Sequence, residues 1–187
     1  MSTNRSKARR QSMMAAFCGL AAGLSIAVML LGGVISIATY AVPMLCGLLL
    51  LPILLEFGEG AAWATFFAVS LLALLMDFDK EAAFFYLFIG YYPIVKWKLD
   101  KIPRRPLRVG VKLLLFSVSM LLMYALLNLL FPLNAALEEF KEMGAVMTIL
   151  FFAAYVLCML LYDHLLMGMV MIYANKIRPK LKFLNIK

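Results

Sequence analysis

Histidine is almost missing from this 187-residue chain, which holds only His164, and charged residues make up just 15% of it. One imidazole cannot build a two-histidine zinc site, and the sequence has no HExxH, no GxSxG and no Walker-type phosphate loop. Hydrolytic chemistry in a membrane needs a nucleophile with its base, or a metal with several ligands. The sequence therefore offers no catalytic residues, no metal site and no cofactor site, and argues against an enzyme. If ATP is used, another polypeptide has to bind it. Cysteine is scarce as well. Cys18, Cys46 and Cys158 lie inside apolar stretches without CxxC spacing, which fits small packing residues better than a disulfide framework or a zinc site.

What the chain has in excess is hydrophobic surface. Sixty-five per cent of its residues are hydrophobic and its mean hydropathy is +0.96. Soluble domains are about 45–50% apolar and about 25% charged. A chain this short has too little interior to hide so much apolar surface, so lipid must cover the remainder. Arg5, Lys7, Arg9 and Arg10 precede an apolar run over 13–39. That run exceeds the roughly 7–15 residues of a secretory signal core, which predicts an uncleaved first helix.

Crossing a hydrocarbon core takes about 20 apolar residues as helix. Six runs qualify or come near: 14–37, 41–55, 61–76, 82–96, 109–131 and 145–173. The second and fourth are short, and the second carries Pro43 and Pro52. The expected fold is all-α, a six-helix transmembrane bundle. Residues 1–13 form a basic cytoplasmic segment, 14–175 the membrane domain and 176–187 a basic cytoplasmic tail. Glu56-Phe57-Gly58-Glu59-Gly60 predicts a tight polar turn. Ile102-Pro103-Arg104-Arg105-Pro106 ends the fourth helix and predicts an irregular joint, and Pro132 ends the fifth. No internal repeat is visible, which disfavours transporters built from two similar halves.

Charge tests that count. With the N-terminus inside and six alternating helices, sixteen of the eighteen Lys and Arg residues fall on cytoplasmic segments. They cluster at the N-terminus, between Lys96 and Lys112, and from Lys176 to Lys187; only Lys80 and Lys141 fall outside. The positive-inside rule prefers this arrangement to its inverse. The net charge of +8 thereby finds its cause in topology and the anionic inner leaflet, not in nucleic acid. The outer turns are acidic, with Asp77, Asp79 and Glu81 in one and Glu138, Glu139 and Glu142 in the other.

Three groups of residues stand out. Ala15, Gly19, Gly23 and Ala27 are spaced by four and share one helix face, a smooth surface for close approach of another helix. Asp163 and His164 interrupt the last apolar run roughly 27 Å along it at 1.5 Å per residue. This places them near the inner boundary, as an interfacial pair or a polar coupling pair. Glu81, Phe85, Tyr124, Asn128 and Tyr155 all fall in the outer half of the expected bundle. Together they offer a carboxylate, an amide and aromatic faces to a small molecule. Each could equally bond a neighbouring helix.

A small hydrophobic chain of six helices with cytoplasmic ends and a small-residue first helix resembles the substrate-binding S components of energy-coupling factor (ECF) transporters. Pro43-Met44-Leu45-Cys46-Gly47 through Pro52-Ile53-Leu54-Leu55-Glu56-Phe57-Gly58 also resembles uncharacterised bacterial membrane proteins grouped with them. So does Asp79-Lys80-Glu81-Ala82-Ala83 followed by Phe88-Ile89-Gly90-Tyr91-Tyr92-Pro93-Ile94-Val95-Lys96. The likeness covers about residues 14–130. It implies a bacterial plasma-membrane subunit that takes a vitamin or metal ion from outside. A transmembrane coupling subunit and two ATP-binding subunits would drive its toppling. Ala15, Gly19, Gly23 and Ala27 match the family's alanine-spaced contact with the coupling subunit, with glycine at two of the four places. The ligand residues of known specificities are not recognisable here. The competing expectation is a non-transporting scaffold that binds another membrane protein through the same helix face.

Overall fold

The computed structural model describes residues 2–32, 38–76, 80–130 and 144–180, which are helical apart from short turns, with no strand among them. The helices are α1 (Ser2–Gly32), α2 (Ala38–Leu48), α3 (Leu50–Phe57), α4 (Glu59–Met76), α5 (Lys80–Ile89), α6 (Tyr92–Leu99), α7 (Arg105–Leu130) and α8 (Gly144–Ile172). A π-helical turn (Tyr173–Ile177) and a 3₁₀ turn (Arg178–Lys180) follow α8. Among the described residues, four stretches are long and apolar enough to cross a membrane: Lys7–Gly32, Glu59–Met76, Arg105–Met123 and Ile149–Lys176. Large apolar side chains are exposed along them, including Leu31, Leu75, Leu121 and Ile149. These helices fit a membrane protein.

The other two apolar runs form helices broken in the middle, and proline explains both breaks. Proline has no amide hydrogen, and its ring crowds the carbonyl four residues back. Pro52 acts this way on Leu48, and the helix is interrupted at Leu49 between α2 and α3. Pro93 acts on Ile89, and α5 ends there, one turn before α6 starts. The first helix differs from expectation in the other direction. It begins at Ser2, so the basic segment placed at 1–13 is continuous with it. Pro106 is also helical, because the first turn of α7 does not require its missing hydrogen bond. Pro132 and the acidic turn at Glu138, Glu139 and Glu142 lie outside the described residues, as do Asp77 and Asp79.

The chain divides into two compact units, Met1–Trp97 with Leu166–Lys187, and Lys98–Leu165. In the first, α1 packs against α2, α3 and α4, and α2 packs against α5. Its core holds Met29, Cys46, Leu50, Ile53, Phe66, Val69 and Tyr86. The Cys46 thiol donates to the Ser25 carbonyl at 3.4 Å, binding α2 to α1. Trp63 stacks on Tyr91 at 6.3 Å and on Phe67 at 5.7 Å, and Phe66 meets Tyr86 at 5.6 Å. The turn expected at 56–60 is present. Gly58 has φ 91° and ψ −179°, a region essentially reserved for glycine, and it lets α4 start at once. Gly90 has a different constraint. A Cβ there would stand 2.6 Å from the Tyr86 carbonyl oxygen and 2.7 Å from its ring.

The second unit contains the turn after α6, then α7 and most of α8. Backbone bonds from Lys101 to Lys98 (3.2 Å) and from Ile102 to Leu99 (3.1 Å) close that turn. Phe116, Met159 and Tyr162 are buried.

Candidate functional site

The i, i+4 spacing of Ala15, Gly19, Gly23 and Ala27 places them along one side of α1, and all four are exposed. A Cβ added at Gly19 or Gly23 would meet nothing within 4 Å. The core-facing side of α1 is a different one, made by Cys18, Ala22, Ser25, Ile26 and Met29. Among the described residues, then, no helix of this chain occupies the smooth face. Exposed Leu20 and Leu24 flank it.

Asp163 and His164 have separate surroundings. Successive helical residues point about 100° apart, so α8 turns Asp163 toward α7 and leaves His164 exposed. Asp163 belongs to a charged clasp. The Lys112 ammonium donates to both Asp163 carboxylate oxygens at 2.9 Å and to Asp100 Oδ1 at 2.7 Å. Only 6% of the Lys112 side chain is exposed, against 26% for Asp100 and 20% for Asp163. Arg108 Nη1 donates to the Asp100 backbone carbonyl at 3.5 Å. One lysine thus ties the turn after α6 and the helix α8 to α7. A desolvated ammonium needs its hydrogen bonds filled, and two carboxylates fill them. Lys112 is the residue that sequence reasoning missed, having counted it only toward topology. The available signal was a lone lysine embedded among Val111, Leu113 and Leu114.

A second cluster closes the first unit. Glu56 lies in the last turn of α3, where the helix dipole disfavours a carboxylate. Arg178 Nε compensates at 3.1 Å, and the Tyr173 hydroxyl donates to Glu56 at 3.4 Å. The end of α8 is thereby fastened beside the Gly58 turn.

Of the five expected ligand residues, Glu81 is exposed and Phe85 buried in the first unit, while Tyr155 is half-buried in the second. Tyr124 and Asn128 lie on α7, and their side chains fall outside the described residues. One recess in the first unit is lined by Ile26, Met29 and Leu30 of α1, Ala73 and Met76 of α4, and Ala82 and Ala83 of α5. Its volume of about 20 Å³ has room for about one water, and its walls carry no polar side chain. Ser70 Oγ and the Tyr86 hydroxyl are buried with no hydrogen-bond partner among the described residues.

The chain matches no known protein family, no curated protein and no solved structure.

Proposed function

We propose that this chain is a multi-pass membrane subunit that docks on a second membrane protein through α1, acting as the substrate-capturing subunit of an ECF-type importer. The observation that carries this reading is the open face at Ala15, Gly19, Gly23 and Ala27. Lipid tails are as apolar as leucine, so a groove in a membrane helix gains from a helix that enters it closely. In this reading α2 with α3 and α5 with α6 are two broken crossings, which brings the four long helices to six. Both termini are cytoplasmic, in a bacterial plasma membrane. The fastening of Arg178 and Tyr173 to Glu56 supports it by bringing the C-terminal turn beside the 57–60 turn. The substrate is a small molecule such as a vitamin, captured on the outer side of the membrane. A transmembrane coupling subunit and ATP-binding subunits supply the energy.

A second reading is a non-transporting scaffold or regulatory subunit that uses the same α1 face. One observation favours it: the recess between α1, α4 and α5 is water-sized and lacks polar groups to orient a ligand. Purification in mild detergent, with identification of bound proteins and small molecules, separates the two. ATP-binding subunits together with a bound metabolite are expected for the importer subunit. A membrane protein partner without ATP-binding subunits or metabolite would leave the scaffold.

A further inference from the structure

The turn that leads into α7 carries an unusual density of positive charge. Lys98, Lys101, Arg104 and Arg105 fall within eight residues and all are exposed. Asp100 is the one acidic residue in that stretch, and it would ordinarily neutralise part of it. The clasp prevents this. The Asp100 carboxylate is held by Lys112 at 2.7 Å, and its backbone carbonyl accepts from Arg108. Lys101, Arg104 and Arg105 are left facing outward from a turn stiffened by Pro103 and closed by two backbone bonds.

Position adds to charge. The membrane-length apolar stretch of α7 begins at Arg105 itself. The three cations therefore stand at the end of a helix long enough to cross a membrane, and in the proposed multi-pass reading, on which this inference rests, that end lies at the depth of lipid phosphates. Leu107 and Val109, 55% and 47% exposed, place apolar surface directly beside them. The amino-terminal end of α7 contributes further partial positive charge. An acidic segment of a soluble partner would match the cations but not the exposed Leu107 and Val109. A phospholipid matches both, with phosphate for the cations and acyl chain for the apolar residues.

We propose that Lys101, Arg104 and Arg105 hold the headgroup phosphate of an anionic phospholipid, and that Lys112 keeps this surface open by withdrawing Asp100 from it. Lys112 is a positioning residue here and does not touch the lipid. Each cation near an anionic surface strengthens attachment about fivefold.

Native mass spectrometry of the full chain, released from nanodiscs of equal phosphatidylglycerol and phosphatidylcholine, tests this. The wild type is expected to retain phosphatidylglycerol in preference. A Lys101→Gln/Arg104→Gln/Arg105→Gln variant is expected to lose that preference. Equal retention of both lipids by the wild type, or an unchanged preference in the triple variant, overturns the site. A poly-glutamate peptide that displaces the retained lipid would reassign the surface to an acidic protein and overturn it too. Lys112→Met should weaken retention about fivefold, and adding Asp100→Asn should restore it. A double variant as weak as Lys112→Met would mean that Lys112 itself binds lipid, against the proposal. Should Lys112→Met not fold, Asp100→Asn alone decides: retention unchanged or raised supports the withdrawal of Asp100, and retention lowered refutes it.

Discussion

Lys112 and Asp163 are 51 residues apart in sequence, yet the Lys112 ammonium lies 2.9 Å from both oxygens of the Asp163 carboxylate. The same ammonium reaches Asp100 at 2.7 Å. Nearly all of its side chain is buried, so the three groups are interdependent. Removing the lysine would take from two partly desolvated carboxylates the ammonium that they share. Removing all three charges would leave nothing to compensate.

Lys112→Met is therefore expected to destabilise the protein by about 3 kcal/mol, the low end for a broken buried pair because both aspartates keep some water contact. The triple replacement Asp100→Asn/Lys112→Met/Asp163→Asn should recover most of that loss. Thermal unfolding in detergent reads both values. A single variant as stable as the triple one would show that the clasp is dispensable to the fold.

Tyr86 and Gly90 give a second test, in the core of the first unit. The Tyr86 hydroxyl is buried and has no partner among the described residues, so it bears a desolvation cost that Tyr86→Phe would remove. That variant should be neutral, or more stable by up to about 1 kcal/mol. Gly90→Ala should do the opposite. Its methyl group would meet the Tyr86 backbone oxygen at 2.6 Å, and backbone cannot swing aside as a side-chain tip can. A loss of about 1–3 kcal/mol is expected. Unfolding midpoints of the two variants should move in opposite directions, and a destabilised Tyr86→Phe would show that the hydroxyl has a partner.

Apolar runs are legible because hydropathy is local and additive, and among the described residues the six runs are helical apart from short turns. Where helices break is decided by chain stereochemistry instead. Pro52 and Pro93 divide runs that an apolar count treats as continuous, which leaves four membrane-length helices and two broken pairs among the described residues. The exposed side of α1 was readable from its spacing by four, since that periodicity is a property of the helix itself. What the spacing could not say was whether another helix of the same chain filled the face. Asp163 stood out as charge in an apolar run, but its partners did not. A contact spanning 51 residues leaves no mark on the local pattern around either residue.

The fastening of Arg178 and Tyr173 to Glu56 makes the proposed topology testable. Gly60 and Lys176 are exposed near this junction, so cysteines at the two positions must be reached from one side of the membrane. In the proposed arrangement of six crossings with cytoplasmic termini, that side is expected to be the cytoplasm, with a label at 101 on the same side and one at 80 on the other. In a background lacking Cys18, Cys46 and Cys158, an impermeant thiol reagent added to intact cells should label Lys80→Cys alone. Gly60→Cys, Lys101→Cys and Lys176→Cys should react only after the membrane is opened. Labelling of Gly60→Cys and Lys176→Cys from opposite sides would contradict the Glu56 contact itself. Labelling of Lys101→Cys from outside would reject the six-crossing arrangement.

The face of α1 yields the prediction that bears most directly on function. A leucine at Gly19 or Gly23 has space, since a Cβ at either position meets nothing within 4 Å. Neither glycine requires an unusual backbone angle, and both lie mid-helix, where a larger residue is favoured by intrinsic propensity. Gly19→Leu and Gly23→Leu should therefore leave stability within about 0.5 kcal/mol of wild type, or raise it slightly. Docking of a partner helix would respond differently, because a branched side chain holds the two backbones apart and removes close contacts along the groove. The two variants should fold and insert normally yet lose the co-purifying membrane partner, with Gly19→Leu/Gly23→Leu losing the most. Leu20→Ala, beside the groove, removes exposed surface without filling it and should retain the partner. Equal recovery of the partner with all variants would show that lipid, not protein, covers this side of α1.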